Sequence, residues 1–171
     1  IVKGIRFAAD QGANIINLSL GYPSISSLLA FGYTKVEVDQ MFRPLRDAVS
    51  YAQRRGAIVV AAAGNYDDAE VSPPAVFPGV IAVGATGVDN RRSSYSSYGR
   101  ALDVMAPGGD FTDLNGDHIQ DGVAVLSIKP RRSEGSLANP DSFNIFFFFG
   151  TSGASPQVAG LCALVKTRWP G

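Results

Sequence analysis

The sequence predicts an α/β fold, a largely parallel β-sheet flanked by helices, and three observations carry that expectation. Short apolar runs recur at residues 13–20, 57–63, 80–84 and 102–106, each ending at or followed by glycine or proline. The run at 57–63, Ala-Ile-Val-Val-Ala-Ala-Ala, lacks the polar alternation of a half-exposed strand, as expected of a strand covered on both faces by helices. Between the first two runs lies an amphipathic helical pattern long enough to be a crossover.

In chain order, residues 3–11 place Ile5, Ala8 and Ala9 on one helical face, with Gly12 as a stop. Residues 13–20 form the first strand, rich in β-branched side chains. Residues 22–41 read as a loop insertion. A helix follows over 44–55, where Leu45, Ala48, Val49 and Ala52 recur at helical spacing before Gly56. The strands at 57–63, 80–84 and 102–106 come next, with 124–128 as a further candidate. Residues 109–144, rich in Asp, Asn, Gly, Ser and Pro, read as a second loop insertion. Phe146 to Phe149 are four consecutive phenylalanines, an aggregation hazard if exposed, so they are expected to form a strand buried on both faces. Residues 157–166 read as a buried helix, and all 171 residues belong to one domain.

Composition excludes several functional classes. Hydrophobic residues make up 46% and charged residues 18%, which suits a packed core. Fifteen basic residues balance fifteen acidic ones, so no net field steers the chain toward nucleic acid or anionic membrane, and neither is expected as a partner. No apolar run reaches the ~18 residues of a membrane helix. The single cysteine, Cys162, forms no internal disulfide and is expected to be buried in the last helix. The single histidine, His118, leaves no multi-histidine metal site.

Ligand sites in parallel sheets lie at the carboxyl ends of the strands. Here those ends are Ser19 to Gly21, Gly64 to Asn65 and Pro107 to Gly109. Ser152 lies between the phenylalanine strand and the last helix, in Gly150-Thr-Ser-Gly-Ala-Ser-Pro156. Glycine before it permits close approach of a substrate backbone. The helix N-terminus supplies free N–H groups and a dipole that favours developing negative charge. By itself this placement also describes an ordinary helix cap.

The segment Gly150-Thr-Ser-Gly-Ala-Ser-Pro-Gln-Val-Ala-Gly160 resembles the serine motif of the subtilisin-like peptidases, with Gly153 where that family has methionine and Gln157 where it has histidine. Val59-Val-Ala-Ala-Ala-Gly-Asn65, Ile15-Ile-Asn-Leu-Ser-Leu-Gly21, Leu102-Asp-Val-Met-Ala-Pro-Gly108, Tyr95-Ser-Ser-Tyr-Gly99 and Val80-Ile-Ala-Val-Gly-Ala85 agree with further family segments in order. The resemblance implies the C-terminal half of a subtilisin-like catalytic domain that acts on peptide or protein substrates. It implies that Ser152 is the nucleophile, with Asn65 and the Ser152 N–H as the oxyanion site. Ser19, Leu20 and Gly21 would offer a substrate edge, and Ala63 and Gly64 a wall of the primary specificity pocket, though the small residues at 63 and 64 equally suit packing. It also implies a cis bond at Pro74, no catalytic cofactor, and a secreted or extracytoplasmic parent.

The family's aspartate and histidine motifs, which precede the matching segments, are absent from this chain, and His118 lies in a polar loop unlike the histidine helix. The chain alone is therefore expected to be inactive, with the missing N-terminal half as its partner. A bare edge on the 13–20 strand would allow self-association. A non-enzymatic peptide-binding module is the alternative reading. Asp113, Asn115, Asp117 and Asp121 place oxygens at relative positions 1, 3, 5 and 9, as calcium loops do, but His118 and Ala124 stand where an EF-hand has Gly and Glu. Structural calcium and a solvated acidic loop both fit that pattern.

Overall fold

The computed structural model describes residues 1–111, 123–127 and 144–169. The elements run α1 (Val2–Asp10), β1 (Ile15–Leu18), α2 (Ile25–Ala30), α3 (Lys35–Arg54), β2 (Ile58–Ala62), β3 (Val80–Thr86), β4 (Val104–Pro107), β5 (Val123–Ser127), β6 (Asn144–Phe148) and α4 (Thr151–Arg168). The first four strands form one parallel sheet in the order β1-β2-β3-β4. Its register pairs Ile15 with Ile58, Val59 with Val80 and Val83 with Val104. Strands β5 and β6 form a separate antiparallel pair.

The unbroken apolarity of β2 has the cause expected of it. Val59 and Ala61 face one way, into a core with Ile16 and Leu18 of β1, Ile5 and Ala9 of α1, and Leu45, Ala48, Val49 and Ala52 of α3. Val60 faces the other way, with Val83, Ala85 and Ala106, against Ala154, Val158 and Ala159 of α4. Period-2 side-chain alternation divides one strand between two cores. The alanines on both sides of the second interface let α4 lie close to the sheet, which brings its N-terminus to the strand ends.

Residues 22–41 are not a loop. They contain α2 and the first two turns of α3. Helix α3 begins at Lys35 and runs through Pro44, where the apolar pattern had suggested a start. Its beginning is set by a capping box: the Thr34 N–H donates to Glu37 Oε2 at 2.8 Å, and the Glu37 N–H donates to Thr34 Oγ1 at 3.3 Å. The Thr34 hydroxyl also donates to Glu37 Oε2 at 2.8 Å, and the two bonds to the carboxylate hold Glu37 below its ordinary pKa, with the Thr34 backbone N–H as the larger cause. Helix α2 is capped by Ser24, whose hydroxyl, like that of Ser27, donates to Asp68 Oδ2 at 2.8 and 3.0 Å. The Ser26 N–H donates to Glu70 Oε2 at 2.9 Å, so the segment just after Asn65 is fastened to α2.

Two burial expectations also change. Phe148 is 40% exposed, so the phenylalanine strand is not covered on both faces at that residue. Helix α4 is buried only along its first half. Leu161, Leu164 and Trp169 are well exposed and Cys162 is half-buried. The cause is visible in the sequence: Leu-Cys-Ala-Leu-Val at 161–165 is apolar around the whole helix, whereas the sheet covers one side of it. No helix among the described residues is long and apolar enough to cross a membrane.

Phe42 tests the extended α3. It is 2% exposed and packs edge-on against Tyr22 and Phe77, with ring centroids 5.4 and 6.2 Å away. Phe42→Ala should cost about 3–5 kcal/mol in urea denaturation of the intact protein, and Phe42→Leu less than about 1.5 kcal/mol. A cost below about 0.5 kcal/mol for the alanine variant would place Phe42 in a surface loop instead.

Candidate active site

Three chain ends converge on one cleft: the exits of β1 and β2 and the N-terminus of α4. Gly150 caps α4 with φ 144° and ψ 152°, a backbone conformation that other residues rarely adopt. It turns the chain so that Thr151 meets Asn65 at the end of β2. The Thr151 N–H donates to Asn65 Oδ1 at 2.9 Å, and the Thr151 hydroxyl donates to the same oxygen at 2.8 Å. A backbone N–H can only donate, so the atom it meets must be the carboxamide oxygen. That decides the side-chain flip and leaves Asn65 Nδ2 as a donor on the opposite side, where a β-carbon added at Gly150 would lie 3.3 Å from it. Ser152 stands in the first turn of α4, where a backbone N–H has no intrahelical acceptor. The same β-carbon at Gly150 would lie 3.7 Å from the Ser152 backbone nitrogen, so both nitrogens adjoin the Gly150 turn.

Gly64, just before Asn65, has φ 111°, and a β-carbon there would fall 2.3 Å from Ser72 Oγ. Both facts require glycine. The Ser72 hydroxyl is buried and has no hydrogen-bond partner among the described residues. Gly21 passes the same segment, in which the Pro73–Pro74 bond is cis.

The cleft has a volume of about 210 Å³ and is lined by Leu20, Gly21, Ala62, Gly64, Asn65, Tyr66, Thr151 and Ser152. Among the expected site residues, Leu20, Gly21, Gly64, Asn65 and Ser152 thus come together. Ala63 does not; its side chain lies in the α1/α3 core, and Ala62 takes the place on the cleft. Ser19 does not line the cleft but braces Ser152. Its hydroxyl donates to the Ser152 carbonyl at 2.8 Å, and its own carbonyl accepts the Ser152 hydroxyl at 3.3 Å. Thr151 and the exposed Tyr66 were not picked out by sequence reasoning, although both adjoin residues that were.

Gly153 has a steric reason. A β-carbon there would meet the Phe148 ring at 2.8 and 3.0 Å, so the aromatic ring occupies the space of the absent side chain. Gln157 holds the start of α4 to the end of β4, its Nε2 donating to the Pro107 carbonyl at 2.7 Å and the Gly153 carbonyl at 2.9 Å. Asp113, Asn115, Asp117, His118 and Asp121 lie outside the described residues. Among the described residues there is no cluster of three or more side chains of metal-binding type.

Comparison with known proteins agrees with this fold. The family model described as "Subtilase family" matches residues 1–171. Subtilisin BL of Lederbergia lenta is 36% identical over 170 residues, covering 99% of this chain and 48% of its own length. M-protease of Shouchella clausii is likewise 36% identical, with 34% of its length covered. Among solved structures, a protease from Pseudoalteromonas arctica has a TM-score of 0.72 at 29% identity, covering 99% of this chain and 46% of that one. The epidermin leader peptide processing serine protease of Staphylococcus aureus has a TM-score of 0.73 at 27% identity, covering 96% and 43%. The chain thus spans less than half the length of these curated relatives, and with its serine turn, its asparagine and its parallel sheet in the family's order, it belongs to the subtilase family.

Proposed function

We propose that the protein of which this chain is part is a serine endopeptidase in which Ser152 is the nucleophile and Asn65 an oxyanion donor. The observation that carries this reading is the pair of hydrogen bonds from Thr151 to Asn65 Oδ1, which turns Nδ2 toward the cleft beside Ser152. In the reaction, Ser152 Oγ attacks the peptide carbonyl carbon while a base takes its proton. The carbonyl oxygen gains the negative charge and accepts hydrogen bonds from Asn65 Nδ2 and the Ser152 N–H. As the C–N bond breaks, the base passes its proton to the departing amine, leaving an acyl-enzyme for water to hydrolyse. Leu20, Gly21 and Gly64 receive the substrate chain, and the chemistry requires no cofactor. Family resemblance supports a secreted or extracytoplasmic parent.

A serine hydroxyl without a base is a poor nucleophile. The single histidine, His118, lies in a polar stretch unlike the family's histidine motif, so on this reading the base comes from another part of the parent protein. The same part would cover the apolar side of α4, and β1, an edge of the four-stranded sheet, would pair with it. Alone, the chain would present both surfaces to a second copy of itself.

The intact parent should therefore cleave peptide amides and lose that activity on Ser152→Ala, whereas the isolated chain should show no Ser152-dependent turnover. Peptide binding without cleavage by the intact parent would favour a non-enzymatic binding module. Turnover by the isolated chain, abolished by Ser152→Ala, would contradict the need for an external base.

Asn65→Ala should lower kcat of the intact protein about 100- to 1,000-fold with little change in KM, a magnitude borrowed from the corresponding donor in a subtilisin. Thr151→Val keeps the backbone bond to Asn65 and removes the hydroxyl bond, so kcat should fall by a smaller factor of roughly 2–10. Equal losses for both variants, or an effect on KM alone, would speak against this division of roles.

A further inference from the structure

The segment linking β3 to β4 makes contacts that the account so far leaves unused. Tyr95 is only 8% exposed, and its hydroxyl lies among three backbones. It accepts the Gly150 N–H at 2.7 Å and faces the carbonyls of Gly108 and Gly109 at 2.7 and 2.8 Å, to which its single proton is donated. The ring packs on Phe111, and Phe111 on Phe149, with centroids 5.2 and 5.1 Å apart. Space around this junction is tight. A β-carbon at Gly108 would fall 2.5 Å from Ala85 Cβ and 2.9 Å from the Gly150 carbonyl oxygen.

The same segment grips the other half of the oxyanion site. The Tyr95 carbonyl accepts the Asp67 N–H at 2.9 Å, and the Ser97 N–H donates to the Gly64 carbonyl at 2.9 Å. The Ser97 hydroxyl accepts the Tyr66 N–H at 3.4 Å. Residues on both sides of Asn65, and the residue that starts the serine turn, are thus tied to one short stretch of chain.

We propose that Tyr95 is a positioning residue for the oxyanion site: its hydroxyl fixes Gly150, its carbonyl fixes the loop after Asn65, and the two donors thereby keep their spacing. This inference rests on the peptidase reading given above. An oxyanion site works only when its donors are placed before charge develops, so a small loss of alignment weakens transition-state binding more than substrate binding. The hydroxyl is well suited to the task. Burial raises the phenol pKa, so the group remains a neutral donor through the neutral range and up to the ordinary phenol value of about 10. The ring alone cannot replace it, because Gly150 would keep only the Gly108 carbonyl, 3.0 Å from its N–H, as an acceptor.

The test uses the intact parent protein with Tyr95→Phe, which keeps the ring and removes one oxygen. Expected are a roughly tenfold fall in kcat, KM within about twofold, and an equal loss of affinity for a peptide boronic acid, with a noncovalent product peptide binding as before. In an Asn65→Ala background, Tyr95→Phe should cost less than about twofold, because the donor it aligns is gone. An unchanged kcat, a rise in KM alone, or the full tenfold cost in the Asn65→Ala background would overturn the inference. A wild-type parent without peptidase activity overturns the catalytic reading and this inference with it, whereas an active wild type with an unaffected Tyr95→Phe overturns only the latter.

Discussion

Two hydrogen bonds from Thr151 to the Asn65 side-chain oxygen are the constraint on which the site depends. They join the N-terminus of α4 to the end of β2 across 86 positions of sequence. They also determine which end of a symmetric-looking carboxamide faces the cleft. Reversed, Asn65 would present a carbonyl lone pair to the oxyanion of the proposed reaction and repel it. Thr151, next to Ser152, therefore sets which end of Asn65 is the donor beside that serine.

That contact is available because of how the sheet is covered. Strand β2 divides its side chains between two cores, and the second of these is built from small residues, with Ala154 and Ala159 of α4 packed against the sheet. A larger residue at either position would hold α4 farther out and draw Thr151 away from Asn65. Positioning is then reinforced from several sides. Ser19 holds the Ser152 carbonyl, Gln157 ties α4 to the end of β4, and the α2 cap Ser24 together with Ser27 holds Asp68 beyond Asn65. The site lies where a parallel sheet leaves its strand ends open, and a polar network ties its rim together.

The sequence carried most of this plan. Glycine and proline marked the strand ends, the apolar run at 57–63 showed that β2 is covered twice, and the order of motifs identified the serine and the asparagine. What it concealed was decided by three-dimensional partners. The capping box at Thr34 and Glu37 is legible locally, but Pro44 draws attention as a helix start because proline suits a first turn, and so the first half of α3 was passed over. Ala62 and Ala63 are indistinguishable by composition; which face of the sheet meets the cleft puts one at the site and the other in the core. The need for glycine at 153 depends on where the Phe148 ring lies, and no spacing rule predicts it. Thr151 was hidden by its neighbour, since a hydroxyl that orients another side chain has no signature of its own.

The most direct measurement of the central claim is peptide mapping by mass spectrometry after the intact parent protein reacts with a peptidyl fluorophosphonate. A Ser152 held beside ready-made oxyanion donors should carry a single stoichiometric adduct, formed much more slowly when Asn65 is alanine. An unmodified Ser152, or an adduct on another residue, would contradict the account.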